Sequence, residues 1–170
     1  PSSIGTFATG AKAPDWQAGL ENGLSALASW LGGAGMLCGA GLLYGARVYS
    51  AVELLLDVEI FSLVRSLADG VPDADEDLAV EVIAEVGPGG HYLAQPHTLQ
   101  HMREQWQPRF FGREPWEDWE AAGRPQPHER AAARAREILA EHRPEPLPPG
   151  VEEAILQVIV EYERRTEGAR

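Results

Sequence analysis

Three histidines, His91, His97 and His101, follow the turn Gly87-Pro88-Gly89-Gly90. Histidine changes protonation or ligates metal near neutral pH. His97 and His101 are four apart and would share a helix face, which suits a metal-ligand pair. Glu104 stands three residues on, but no cysteine or carboxylate at motif spacing completes the set. The plainer alternative has His97 packing at a helix start and His101 in solvent. His91 leaves the glycine turn directly, which favours contact with a polar substrate or partner. The turn itself could cradle phosphate at a helix N-terminus. It lacks the Lys-Ser/Thr ending of a P-loop and follows no strand, so a tight turn set by packing explains it as well.

Other side chains carry weaker chemical signals. Cys38 precedes Gly39-Ala40-Gly41 in an apolar run. It could act as a nucleophile, but no adjacent base is visible, and buried cysteine is usually packing. Asp15 and Gln17 follow the first strand, where ligand sites of α/β proteins form; helix capping alone also explains Asp15. Trp106, Phe110, Phe111, Trp116 and Trp119 resemble an aromatic box for a cation. Their spacing on short helices favours core packing of a helical subdomain.

The elements that must position these groups fall into two stretches. Ile4 to Thr9 reads as a short strand. Asp15 caps a helix whose Leu20, Leu24, Leu27 and Leu31 lie at spacings of three and four and define one apolar face. Gly32-Gly33 ends it. Met36 to Leu43 reads as a second strand, apolar on both faces, as in a covered parallel sheet. Ser50 caps a helix to about Ala68, with Glu53 completing a capping box, and Gly70-Val71-Pro72 stops it. Strand, helix, strand, helix is the repeating unit of an α/β protein. Two strands cannot close a barrel or make a stable sheet alone. Beyond Gly70 the pattern is helical: Asp73 to Val86, Thr98 (as cap) to Trp106, Pro115 to Ala121, and His128 to His142. A proline-rich linker, Pro144 to Pro149, leads to a last helix from Val151 to Arg165 with Ile155, Val158, Ile159 and Tyr162 on one face.

Bulk properties exclude several classes. The 170 residues carry a net charge of −12, which argues against a nucleic-acid partner. The longest uncharged apolar run, Ala34 to Tyr44, is far short of the roughly 20 residues of a spanning helix. One cysteine fits a reducing, cytoplasmic compartment. No signal peptide opens the chain. It begins at Pro1, and is expected to be processed or cut from something longer.

Three segments, taken together and in order, carry a family resemblance: Ala11-Lys12-Ala13-Pro14-Asp15-Trp16-Gln17-Ala18-Gly19-Leu20-Glu21, then Gly39-Ala40-Gly41-Leu42, then Gly87-Pro88-Gly89-Gly90-His91-Tyr92-Leu93 with His97-Thr98-Leu99. Trp119, the Glu129-Arg130-Ala131 run and Leu147-Pro148 fit as well. The ordered set resembles the C-terminal part of the trimethylamine methyltransferase family over essentially the whole chain.

The resemblance implies a (β/α)8 TIM barrel whose last two strands and helices are residues 1–70, with residues 71–170 as a helical C-terminal extension. It implies methyl transfer from a tertiary or quaternary methylamine to the Co(I) of a corrinoid (cobalamin) on a separate corrinoid protein, in methylamine metabolism and methanogenesis. Members acting on trimethylamine carry a pyrrolysine; none is written here, which favours a quaternary amine such as glycine betaine. The expected substrate mouth is Asp15, Gln17, Cys38, Gly39 and Gly41. The expected corrinoid-facing residues are Gly89, Gly90, His91, Gln95 and His97. No catalytic residue and no resident metal is assigned. These residues taken alone are expected to be inactive, poorly stable and prone to homo-oligomerise, because the first strand exposes an unpaired edge. The rival readings are a non-enzymatic acidic helical interaction module and a metalloenzyme built on the three histidines.

Overall fold

Side-chain caps start the two long helices where the sequence places them. In the computed structural model, which describes residues 2–70 and 74–167, the Asp15 carboxylate accepts the N–H groups of Gln17 and Ala18 at 2.9 and 3.1 Å. These are two of the donors that a helix start leaves without internal partners. Helix α1 (Trp16–Leu31) follows. The Ser50 hydroxyl accepts the Glu53 N–H at 3.2 Å and begins α2 (Ala51–Ala68).

Strand β1 (Ser3–Gly5) pairs in parallel with β2 (Met36–Cys38), with Ile4 opposite Leu37. Helix α1 is the crossover between them, so this stretch is a βαβ unit. Strand β3 (Leu42–Leu43) turns back through Tyr44, Gly45 and Ala46, all at positive φ, to pair antiparallel with β4 (Val48–Tyr49). Short helices α3 (Asp75–Leu78), α4 (Val80–Val86), α5 (Pro96–His101) and α6 (Trp116–Ala121) follow, then α7 (Pro127–Glu141) and α8 (Val151–Glu167). The chain divides into two compact units, Pro1–Arg136 and Glu137–Arg170. In the second, α8 exposes Ile155, Val158, Ile159 and Tyr162. No helix among the described residues is long and apolar enough to cross a membrane.

The core of the first unit joins Phe7, Ala26, Ile60 and Val64, with Trp30 and Phe61 packed edge to face at 5.5 Å between ring centroids. Here the structure corrects the expected packing face of α1. Its buried residues are Ala18, Asn22 and Ala26, whereas Leu24 and Leu31 are 61% and 69% exposed. Small side chains let the α1 backbone approach α2 closely. Of the leucine stripe, Leu27 packs against the core, and Leu20, Leu24 and Leu27 rim an open groove.

The strands are shorter than expected. The strand read from Ile4 to Thr9 ends at Gly5, because the Thr6 and Phe7 N–H groups both donate to the Cys38 carbonyl and the chain bends there. The strand read from Met36 to Leu43 breaks at Gly39 and Gly41, whose φ values of +98° and +84° are left-handed. It is not covered on both faces: Met36 is exposed, and so is every residue of β1. The exposed β1 fits the expected bare edge.

Local chemistry also moves the later helices. The helix read from Asp73 to Val86 splits at Ala79, where φ is +50°; Val71, Pro72 and Asp73 lie outside the described residues. Thr98 is not a cap. Helix α5 starts two residues earlier at Pro96, whose fixed φ suits the first helical position, and ends at His101 rather than Trp106.

Candidate functional site

The expected substrate mouth is built from the two turns that leave β1 and β2. After β1, Glu21 gathers the loop: its carboxylate accepts the Thr9 hydroxyl at 2.6 Å, the Gly10 N–H at 2.8 Å and the Gln17 side-chain amide at 2.7 Å. The Thr9 hydroxyl, then Gln17 and Gly10, hold Glu21 below the usual carboxylate range. Gln17, expected to meet substrate, is thus engaged in fixing its own loop. Asp15 caps α1 and also lines the groove beside it.

After β2 the glycines are required by contact as well as by φ. A Cβ on Gly39 would meet the Phe7 carbonyl oxygen at 2.9 Å. A Cβ on Gly41 would meet the Tyr49 ring at 3.0 Å. Cys38 is half-buried, its Sγ 3.0 Å from the Ser3 hydroxyl and 3.5 Å from the Ile4 carbonyl. Gly39 therefore brings the β2 turn against Phe7, which follows β1, Gly41 seats it against Tyr49 and the start of α2, and Cys38 faces β1 itself.

Behind this turn lies a buried polar cluster that the sequence pattern did not reveal. Asn22 of α1 donates its side-chain amide to Asp57 Oδ1 at 2.7 Å and to Glu53 Oε1 at 3.1 Å, both on α2. Asp57 Oδ2 accepts the Gly41 N–H at 2.8 Å. Among the described residues, Glu53, Asn22 and Asp57 are the largest side chains that are fully buried. Burial first, and the Asp57 charge second, push the Glu53 carboxyl up to about 7. Burial likewise raises Asp57 to about 6, opposed by the Gly41 N–H and Asn22 bonds. The capping box expected at Glu53 is only half made. Its N–H reaches Ser50, but its side chain turns into the core. One signal was available: Glu53, Asp57, Ile60 and Val64 share a stripe at helical spacing, which places two carboxyls on the packed face of α2.

Glu53 also touches a groove of about 720 Å³ between the leucine stripe of α1 and Leu56, Ile60, Leu63 and Leu67 of α2. Asp15 and Trp16 line it at one part, and Phe111 and His128 at another.

The second expected set forms a local corner. Gly89 has φ +81°, and a Cβ on Gly90 would lie 2.5 Å from the Val86 carbonyl oxygen, so the corner needs both glycines. His91 is exposed, and Gln95 precedes α5 with its N–H bonded to the Tyr92 carbonyl. His97 is not free: its Nε2–H donates to the Glu76 carbonyl at 2.8 Å and its ring packs on His101 at 4.3 Å. His101 donates through Nδ1 to Glu104 Oε2 at 2.6 Å. Among the described residues no group of three or more His, Cys, Asp or Glu side chains converges as a metal site.

The aromatic residues do not enclose a common site. Trp106 donates to the Ser62 hydroxyl at 2.9 Å and stacks beneath Arg113, and Phe110 is buried. Trp119 is tied to the Pro125 carbonyl at 3.2 Å and carries the exposed Trp116 against it.

Residues 1–169 match the model of the trimethylamine methyltransferase family. The chain belongs to that family. It is 34% identical over 163 residues to the trimethylamine methyltransferase MttB of Desulfitobacterium hafniense, a match covering 96% of this chain and 33% of the relative. It is 33% identical over 147 residues to MttB of Methanosarcina barkeri, covering 86% of this chain and 30% of the relative. It is also 32% identical over 162 residues to the glycine betaine methyltransferase of D. hafniense, covering 94% and 33% respectively. This family member thus spans about a third of the length of the curated relatives it matches.

Proposed function

We propose that this chain is the C-terminal part of a methyltransferase that moves a methyl group from a quaternary or tertiary methylamine to the Co(I) of a corrinoid protein. The observation that carries the reading is the family match across the chain, with relatives named for trimethylamine and for glycine betaine. On this reading the β1–α1–β2–α2 segment supplies the last two strands and helices of a (β/α)8 barrel, and residues 71–170 form its helical extension. The parallel β1–β2 pair with α1 as crossover supports that assignment.

A methyl displacement needs the substrate held with its methyl carbon aimed and water kept away. The turn after β2 places Gly39 and Gly41 at the proposed mouth, packed against Phe7 and Tyr49 so that the turn is fixed there, with Cys38 at the strand end. Asp15 contributes negative charge, which suits a cationic amine. Gln17 acts through Glu21, fixing the β1 loop. The corrinoid, brought by its own protein, supplies the cobalt nucleophile. The exposed corner of Gly89, Gly90 and His91 fits the edge of such a group, because it has little side-chain bulk and one imidazole facing outward; Gln95 closes the turn through the Tyr92 carbonyl, and His97 lies beyond it at the start of α5. The protein is proposed to act in the cytoplasm, as a homo-oligomer, on a quaternary amine in preference to trimethylamine.

The test is methyl transfer by the complete reading frame encoding these residues, mixed with a Co(I) corrinoid protein and either glycine betaine or trimethylamine. Methylation of the corrinoid, read from its absorbance spectrum, is expected with at least one amine. No transfer from any tertiary or quaternary amine refutes the reading and favours the alternative, an acidic interaction module, for which the exposed apolar residues of α8 are the supporting observation.

A further inference from the structure

The Asn22–Glu53–Asp57 cluster is more than polar filling, because its bonds cannot all be satisfied with both carboxyls ionised. An ionised carboxyl only accepts hydrogen bonds. Asn22 offers two donors and spends both, one on each acid. Glu53 Oε2 and Asn22 Oδ1 are buried with no donor directed at them. Leaving buried acceptors unpaired is costly, so the arrangement calls for an additional proton. A proton on Glu53 turns Oε2 from an unpaired acceptor into a donor, and the neighbouring Asp57 carboxyl, whose charge acts on Glu53, is the acceptor at hand; Asn22 Oδ1 stays unpaired in either state.

The cluster reaches the candidate mouth through one bond. Asp57 Oδ2 holds the Gly41 N–H, and Gly41 has a left-handed φ and is crowded by Tyr49, Leu54 and Ser50. The turn has little freedom while Asp57 stays in place.

We propose that Glu53, Asp57 and Asn22 form a clasp sharing one proton, which positions the Gly39–Gly41 turn, and that losing this proton to solvent loosens the turn. The clasp itself stands on the buried geometry; its effect on methyl transfer rests on the function proposed above. The groups facing the pair are Asn22 and Asp15 from α1 and its cap and the Gly41 N–H from the β2–β3 turn; His128 lines the same groove as Glu53. Asp15 opposes ionisation of Glu53.

The test uses the complete reading frame encoding these residues and does not depend on methyl transfer. Amide exchange at Gly41, corrected for intrinsic rate, is followed from about pH 6 to about pH 8, the range set by a one-proton linkage. Protection is expected to fall by up to roughly tenfold per pH unit, the limit for one proton. In Glu53→Gln the amide N–H replaces the acid proton permanently, and the pH dependence is expected to vanish. Retention of the dependence in that variant, or constant protection in the wild type, overturns the proposal. Infrared spectroscopy of the unsubstituted chain gives a second readout that needs no variant to fold. A protonated-carboxyl stretch is expected at the acid end and not at the alkaline end; its absence at the acid end also overturns the proposal. Loss of methyl transfer with a clasp that behaves as described would refute only the methyltransferase reading.

Discussion

Replacing Glu59 of α2 tests whether a single buried carboxylate anchors the loop before α6. Its Oε1 accepts the backbone N–H groups of Arg109 at 2.7 Å, Phe110 at 2.8 Å and Phe111 at 3.4 Å. Glu59 is 3% exposed and Phe110 7%, so water cannot readily replace the central bond. Arg109 and Phe111 are part-exposed and can recover a water. Glu59→Ala removes one full buried bond to a charged acceptor, a second partly, and a third weakly. At roughly 1–3 kcal/mol for a buried unpaired donor, the sum is about 3 kcal/mol. Glu59→Gln keeps an acceptor oxygen at the same position and is expected to cost about 1 kcal/mol. In a chain of this size about 3 kcal/mol corresponds to a fall in Tm of roughly 6–12 °C. Thermal unfolding by circular dichroism measures the two variants, and amide exchange locates the change at residues 109–111. Equal effects of alanine and glutamine, or an alanine variant that melts with the wild type, would refute the anchoring role.

Three further outcomes are expected. Gly39→Ala places a Cβ 2.9 Å from the Phe7 carbonyl oxygen at φ +98°, and should destabilise by roughly 2–4 kcal/mol in denaturant titration. Asp15→Ala removes the cap of α1 and should cost about 1 kcal/mol, with faster amide exchange at Gln17 and Ala18. The third concerns pH. Glu53 and Asp57 have folded values raised to about 7 and about 6, so the folded chain binds protons that the unfolded chain releases. Their contribution is complete below the ordinary carboxylate values and is lost as pH rises through the raised ones. For Glu53 the shift converts to at most about 3 kcal/mol. Melting temperature should therefore fall from about pH 5 to about pH 8, and Glu53→Gln should flatten that slope.

Features set by neighbours a few residues apart were legible in the sequence. The Asp15 and Ser50 caps form as read, because a side chain immediately before a helix lies within reach of that helix's first N–H groups. The glycine breaks after α1, and the helices near 116–121, 128–142 and 151–165, also lie close to where their patterns placed them. The ordered motifs at 11–21, 39–42 and 87–99 were enough to place the chain in its family.

Long-range partners decided the rest. The leucines of α1 and the alanines beside Asn22 both lie at helical spacing, and only α2 shows that the smaller face is the one that packs. Glu53 had the right position for a capping box, yet Asn22, which lies 31 residues earlier, draws its side chain into the core. Glu59 binds N–H groups about fifty residues further along the chain, a pairing no local pattern encodes. The histidines had metal-like spacing, but the backbone of Glu76 and the carboxylate of Glu104 take their donors. Sequence fixes the hydrogen bonds that close within a turn of chain. The cost of burying a charge is met by whichever distant group the fold brings beside it, and that is settled only in three dimensions.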